Sequence, residues 1–171
     1  MHSSVLDQHS SLAHWLTHLE TLHPQTIDMG LARISAVADR LQLKENSALK
    51  IVVGGTNGKG STCAMLEAIL LAAGYKVGLY TSPHLLRYNE RIRINGHDAS
   101  DETIVRQFAQ IDQARADNSL SYFEFSTLAA LCAFQEANLD VMIFEVGLGG
   151  RWVAVKIIDA DCSIITSVDI D

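Results

Sequence analysis

The apolar run Ile51-Val52-Val53 opens into Gly55-Thr56-Asn57-Gly58-Lys59-Gly60-Ser61-Thr62, which passes straight into the helical pattern Cys63-Ala64-Met65-Leu66-Glu67-Ala68-Ile69-Leu70-Leu71. Strand, glycine-rich loop and helix in that order form a phosphate-binding loop. Glycines let backbone N–H groups wrap round oxygens, and the helix begins where its unpaired amides and positive dipole end face the anion. Lys59 adds a mobile cation. Ser61 and Thr62 add hydroxyls where a phosphate-bound magnesium ion would sit, so the segment from Gly55 to Thr62 is expected to bind ATP. Gly60 separates the lysine from the first hydroxyl, which makes the loop a variant of the common G-x-x-x-x-G-K-[ST] pattern.

The rest of the chain reads as an α/β domain. Leu12, Trp15, Leu16, Leu19 and Leu22 recur at helical spacing and predict a helix over about 11–22. Leu31, Ile34, Val37, Ala38 and Leu41 predict a second from Met29 to Leu43. Short apolar strands are expected at Lys50–Val53, Lys76–Tyr80, Asp140–Glu145 and Cys162–Ser167, with Gly74 stopping the loop helix. Ser100 can cap a helix running to about Ala116, and Phe125–Asn138 predicts another. Thr81–His97 reads as an irregular, ordered functional loop with three arginines and one carboxylate, Glu90. Continuous apolar strands separated by helices describe a parallel sheet covered on both faces. Residues 1–46 are expected to form a helical segment packing on a core built by residues 47–171.

Composition narrows the function. A net charge of −7 argues against nucleic acid as a partner, since phosphate backbones select basic surfaces. It leaves ATP open, because charges beyond roughly 8 Å are screened and local amides and Lys59 set the potential. Cys63, Cys132 and Cys162 lie in apolar segments without any C-x-x-C pair and read as reduced core residues. The chain shows no apolar stretch of the roughly 20 residues needed to span a bilayer and no signal core, which gives a cytoplasmic protein that binds no membrane. The seven histidines lack ligand spacing, so His84 is read as a loop residue outside any metal set.

In an open parallel sheet the ligand lies beyond the C-terminal strand ends. That rule gathers four clusters: the phosphate loop, the Ser82 loop after Tyr80, Glu145 with Gly147-Leu148-Gly149-Gly150-Arg151, and Ser167–Asp171. Glu145, ending an apolar strand beside the phosphate loop, is the expected magnesium ligand. Arg151 can neutralise a developing anionic oxygen. Tyr122-Phe123-Glu124-Phe125 reads equally well as a face for stacking a planar heterocycle and as a hydrophobic staple at a helix start.

Taken together, these ordered motifs resemble the N-terminal part of the dihydrofolate synthase/folylpolyglutamate synthase family within the Mur-ligase superfamily. Further elements of the resemblance are Ile27-Asp28-Met29-Gly30-Leu31-Ala32-Arg33, Ser82-Pro83-His84-Leu85 with Asn89-Glu90-Arg91-Ile92, and Phe123-Glu124 with Thr127-Leu128-Ala129. The resemblance implies a P-loop NTPase-like central ligase domain and an ATP- and Mg2+-dependent amide ligase. Its substrates would be dihydropteroate, reduced folates and L-glutamate, joined through an acyl phosphate in a monomeric full-length enzyme. It carries over Lys59, Glu145 and Arg151 as catalytic residues and Ser61, Ser82 and Glu145 as metal ligands. It likewise implies that Met29, Gly30, Leu31, Ala32, Ser121, Tyr122, Phe123, Glu124, Trp152, Val153 and Ala154 line the substrate pocket. Where the family continues Leu-Asp-Ala-Thr-Asn, this chain reads Trp152-Val153-Ala154-Val155-Lys156, which removes an acceptor for a pterin amine. The family's later histidine, modified lysine, adenine contacts and glutamate-binding domain would lie beyond Asp171, so the chain is expected not to complete ligation alone. Another Mur-type ligase, or a nucleotide-binding module without catalysis, are the alternative readings.

Overall fold

The computed structural model describes residues 6–21, 31–43, 46–147 and 157–169. The strands are β1 (Leu49–Gly54), β2 (Val77–Tyr80), β3 (Ile92–Ile94), β4 (His97–Asp98), β5 (Val141–Glu145) and β6 (Cys162–Ile165). They form one sheet in the order β4-β3-β2-β5-β1-β6. The expected strands β1, β2, β5 and β6 run parallel, with Val53 opposite Glu145, Tyr80 opposite Phe144 and Gly54 opposite Ile165. The described helices are α1 (Leu12–Thr21), α2 (Leu31–Arg40), α3 (Lys59–Ala72), α4 (Asp101–Arg115) and α5 (Tyr122–Glu136).

Alternation along each strand divides the apolar residues between two faces. On one, Ile51, Val53, Val77, Leu79, Val141 and Ile143 meet Cys63 of α3, flanked by Leu66, Leu70 and Leu71. On the other, Val52, Tyr80, Met142 and Phe144 join the larger core built with α1, α2, α4 and α5. Each fully buried Leu, Ile, Val or Phe contributes about 1.5–3 kcal/mol. The helix α5 is buried continuously from Glu124 to Phe134, which is why its sequence is apolar all round rather than amphipathic. The first helices join this core through Trp15 and Ile34, both at 0% exposure, so they are part of the same packing unit as the sheet.

Three departures from the sequence expectations have physical causes. The segment Thr81–His97 is not irregular throughout: a 3₁₀ turn at Tyr88–Arg91 leads into an antiparallel hairpin, with β3 paired to β2 and to β4. Its turn is Asn95-Gly96, with φ of 51° and 82°, the positive pair that a two-residue hairpin turn demands. That dipeptide was the available signal; strands of two and three residues carry too little periodicity to reveal themselves. The helix expected to reach Leu43 ends at Arg40, because Gln42 takes φ of 55°. There the Arg40 guanidinium donates to the carbonyls of Ala114 and Arg115 at 2.9 and 3.3 Å, tying α2 to the C-terminus of α4. Lastly, Cys63 and Cys132 are buried as expected, but Cys162 is exposed, since β6 is an edge strand with little covering it.

Among the described residues, no helix is long and apolar enough to cross a membrane.

Candidate functional site

The loop between β1 and α3 curls round the Lys59 side chain. Its Nζ donates to the carbonyls of Gly55 at 2.7 Å and Thr56 at 3.1 Å, so the ammonium sits inside the loop. Gly58, with φ of 82°, is the N-cap and makes no side-chain cap bond, which leaves the first-turn amides of α3 available to an anion. A side chain at Gly60 would meet nothing within 4 Å; the protein's own packing does not require glycine there.

The segment after β6 straps this loop. The Thr166 amide donates to the Gly54 carbonyl and the Thr56 amide to the Ser167 carbonyl, each at 2.8 Å. The Ser167 hydroxyl donates to the Asn57 carbonyl at 3.3 Å, and the Asp169 amide donates to Thr56 Oγ1 at 3.1 Å. The third strand end joins through Val146, whose amide donates to the Val53 carbonyl at 2.8 Å.

Glu145 ends β5 one strand away from the loop, and it is 8% exposed. The Ser82 amide donates to its Oε2 at 3.4 Å. Burial pushes the Glu145 carboxyl above its ordinary range, while the Ser82 amide and Lys59 pull it back down. Beside it, Ser82 Oγ is buried without a hydrogen-bond partner. A buried carboxylate and an orphaned hydroxyl next to a phosphate-type loop suit a hard cation such as magnesium. That ion takes one or two carboxylates and completes its shell with phosphate oxygens and water. Among the described residues no group of three His, Cys, Asp or Glu gathers into a protein-only metal cage. Ser61 lies exposed in the first turn of α3 and makes no hydrogen bond to Ser82 or Glu145. Burial pushes the neighbouring Cys63 thiol up to about 12, and the Glu145 charge adds to this, so it remains a protonated, unreactive core group.

The raised carboxyl of Glu145 gives a stability prediction. A folded-state pKa above the ordinary 4.5 means that the native state favours the proton. The associated stability is present below 4.5 and is lost as pH rises through the folded value. Glu145→Gln is therefore expected to melt at a higher temperature than the parent at pH 7, with the difference closing below pH 4.5. In the same variant, affinity for Mn2+ or Mg2+ in the presence of an ATP analogue should fall about tenfold or more. A lower melting temperature at pH 7 would contradict the assignment of a destabilising buried charge.

The Ser82 loop is shaped by Glu90. Its carboxylate accepts the amides of Leu85, Leu86 and Arg87 at 2.8, 2.9 and 2.6 Å. These three bonds hold its carboxyl below the usual range and display Leu85 and Leu86 outward at 89% exposure each. His84 is anchored rather than free, accepting at Nδ1 from Arg91 Nε at 2.8 Å.

Of the residues expected to line a substrate pocket, Ser121 and Glu124 form a capping box at the start of α5. The Ser121 hydroxyl accepts the Glu124 amide at 3.2 Å, and Glu124 Oε2 accepts the Ser121 amide at 2.7 Å. Glu124 also faces Arg33 at 3.8 Å. The α5 start is therefore three residues earlier than the expected Phe125, and the Glu124 carboxylate is committed to the helix end. Tyr122 and Phe123 are half-buried and point toward the β2 end, where Phe123 lies 6.3 Å from the Tyr80 ring. Ala32 is exposed on α2. Met29, Gly30, Arg151, Trp152, Val153 and Ala154, together with Leu148, Gly149 and Gly150, lie outside the described residues, as does the side chain of Leu31.

No family model matches the sequence. A dihydrofolate synthase/folylpolyglutamate synthase from Escherichia coli is 54% identical over 162 residues, covering 95% of this chain and 38% of that protein. The chain corresponds to the amino-terminal part of the dihydrofolate synthase/folylpolyglutamate synthase family. A member from Haemophilus influenzae is 54% identical over 171 residues, which is 100% of this chain and 39% of that one. Two solved structures of the family agree: E. coli FolC in complex with DHPP and ADP, at TM-score 0.91 and 53% identity, and the Yersinia pestis bifunctional enzyme complexed with AMPPNP and Mn ion, at 0.92 and 55%. Each covers 96% of this chain, which spans 40% of either family structure. The chain thus spans about two-fifths of the length of the relatives it matches.

Proposed function

We propose that this chain carries the ATP-binding portion of a folate-type amide ligase that joins L-glutamate to the carboxylate of dihydropteroate, and to reduced folates. The observation that carries the reading is the placement of Lys59, the orphaned Ser82 hydroxyl and buried Glu145 at adjoining strand ends. Its support from outside the site is identity above 50% to folate synthases across the chain.

In this reading the carboxylate is first phosphorylated, because it is a poor electrophile and needs a leaving group. The γ-phosphoryl group passes from ATP to a carboxylate oxygen and ADP departs. The glutamate amine then attacks the acyl carbon, losing a proton as phosphate leaves. Backbone amides from Gly55 to Thr62 hold the phosphates. Lys59 exchanges its two loop carbonyls for phosphoryl oxygens and follows the charge as it develops. Ser61, Ser82 and Glu145 would hold magnesium, which when bound neutralises charge on the transferring group. Arg151 serves the developing acyl oxyanion, and Met29–Ala32, Tyr122, Phe123 and Trp152–Ala154 line the pteroate side. Ser121 and Glu124 support that side by fixing the start of α5.

Calorimetric titration tests the reading. The protein should bind the ATP analogue AMPPNP with Mg2+, and then dihydropteroate, with a UDP-linked muropeptide precursor failing to compete. Competition by the muropeptide would favour a cell-wall ligase. Binding of the analogue without either acid would leave a nucleotide-binding module.

A further inference from the structure

At the C-terminal end of β2, on the α5 side of the sheet, the Arg91 guanidinium lies over two tyrosine rings. Its central carbon is 5.6 Å from the Tyr88 centroid and 5.7 Å from that of Tyr122. Those rings stand nearly perpendicular, at 87°, so they restrain the guanidinium from two directions. Nε is committed to His84 Nδ1 at 2.8 Å, which leaves that histidine's proton on Nε2. Among the described residues, no carboxylate pairs with Arg91; Arg33, Arg87, Arg93, Arg106 and Arg115 each have an acid, while Arg40 donates to the backbone carbonyls of Ala114 and Arg115 instead. The only positions of Arg91 left for an acceptor are its two terminal NH2 groups, whose spacing matches the two oxygens of a carboxylate.

A second observation lies next to it. The Tyr80 hydroxyl is wholly buried and meets no partner in full hydrogen-bond geometry; the polar side chains that approach it are Thr127 and Arg91 itself. Burial pushes the Tyr80 hydroxyl pKa up, while Thr127 and the nearby Arg91 charge act the other way. An always-ionised group held half-buried over two aromatic faces, with no carboxylate among the described residues paired to it, is arranged for an anion that the protein itself does not supply.

We propose that the Arg91 fork, clamped by Tyr88, Tyr122 and His84, binds a carboxylate of the ligase's acid substrates. It thereby makes the site select acids over their amides. This rests on the ligase reading above only for the identity of those acids. Two sources share the chemistry: the pteroyl carboxylate that becomes activated, and a carboxylate of L-glutamate. The aromatic clamp favours the first, because a pteroyl group ends in a benzoate ring that can lie against Tyr122 while its carboxylate meets the fork.

Binding of acid and amide pairs tests this on the whole 171-residue chain in the presence of AMPPNP and Mg2+. The pairs are dihydropteroate against its carboxamide, and L-glutamate against its α-amide. The parent protein should prefer the acid by about tenfold or more in at least one pair, the size expected of a charge-assisted bidentate contact. Arg91→Gln should abolish that preference while leaving AMPPNP affinity unchanged, and the pair affected identifies the carboxylate. Arg91→Met, which keeps an unbranched stem between the rings, carries the same expectation if the glutamine variant unfolds. An undiminished acid preference in the variants overturns the proposal with the ligase reading intact. A parent protein that binds AMPPNP but neither acid overturns both.

Discussion

Lys59→Ala is expected to weaken binding of AMPPNP with magnesium by about a hundredfold or more. The ammonium already makes two bonds inside the loop, to Gly55 and Thr56 carbonyls, and phosphate oxygens would replace those acceptors with charged ones. Charge-assisted hydrogen bonds contribute about 1.5–3 kcal/mol each. Two of them therefore come to about 3 kcal/mol or more, and 1.4 kcal/mol corresponds to a factor of ten. Lys59→Arg should recover little, because the planar fork of arginine does not fit a curl that surrounds a single ammonium. Titration calorimetry reads the affinity, and thermal unfolding separates it from loss of fold. Affinity within threefold of the parent would remove Lys59 from the phosphate site.

Gly55→Ala should be the most destabilising single substitution in the loop. Gly55 has φ of 137°, a conformation that L side chains rarely adopt. A Cβ there would also run into Thr166 Oγ1 and come within 3.1 Å of the Ser167 carbonyl. Backbone strain and overpacking each cost about 1–3 kcal/mol, so about 4 kcal/mol is expected. In a chain of this length that lowers the melting temperature by about 10 °C. Adding Thr166→Ala should relieve the steric part and leave the strain, recovering about half the loss in a double-mutant cycle. A shift under 2 °C for the single variant would show that the strap from β6 gives way more readily than its paired amides imply.

The loop was legible because everything that makes it is local. Glycine permits the curl, the apolar run before it is too short and too β-branched for a helix, and the apolar run after it is too long for a strand. The cap at Ser100 belongs to the same category, since a hydroxyl and the amide three residues later meet within one turn; the equally local cap at Ser121 went unread, and the helix was expected only from Phe125. Glu124 shows the limit of that legibility. Its neighbours Tyr122 and Phe123 fit a heterocycle platform and a helix start equally well in sequence. Only the 2.7 Å bond to the Ser121 amide reveals how its carboxylate is used. Glu90 was visible as the single carboxylate of its loop, but its three amide partners were not, because the loop's path decides which amides converge.

Arg91 was less accessible still. It was one of three arginines in a polar segment, and nothing in spacing separates it from Arg87 or Arg93. What distinguishes it is the placement of Tyr122, which is 31 residues away in sequence and arrives from another helix. Ser82 and Glu145, by contrast, were expected to meet at the strand ends, and they do so because β2 and β5 are neighbours in the sheet.

By itself the sequence determined a glycine-rich loop between a strand and a helix, the parallel α/β class and the folate-ligase resemblance, since each rests on short-range periodicity, glycine geometry or ordered motifs. Tertiary structure decided which strand ends adjoin, where Lys59 rests, that Ser82 Oγ is left without a partner, and that Arg91 lies over two tyrosine rings. Those outcomes depend on the pairing of strands and helices far apart along the chain. The register that selects them is set by burial of whole faces, which no local pattern records.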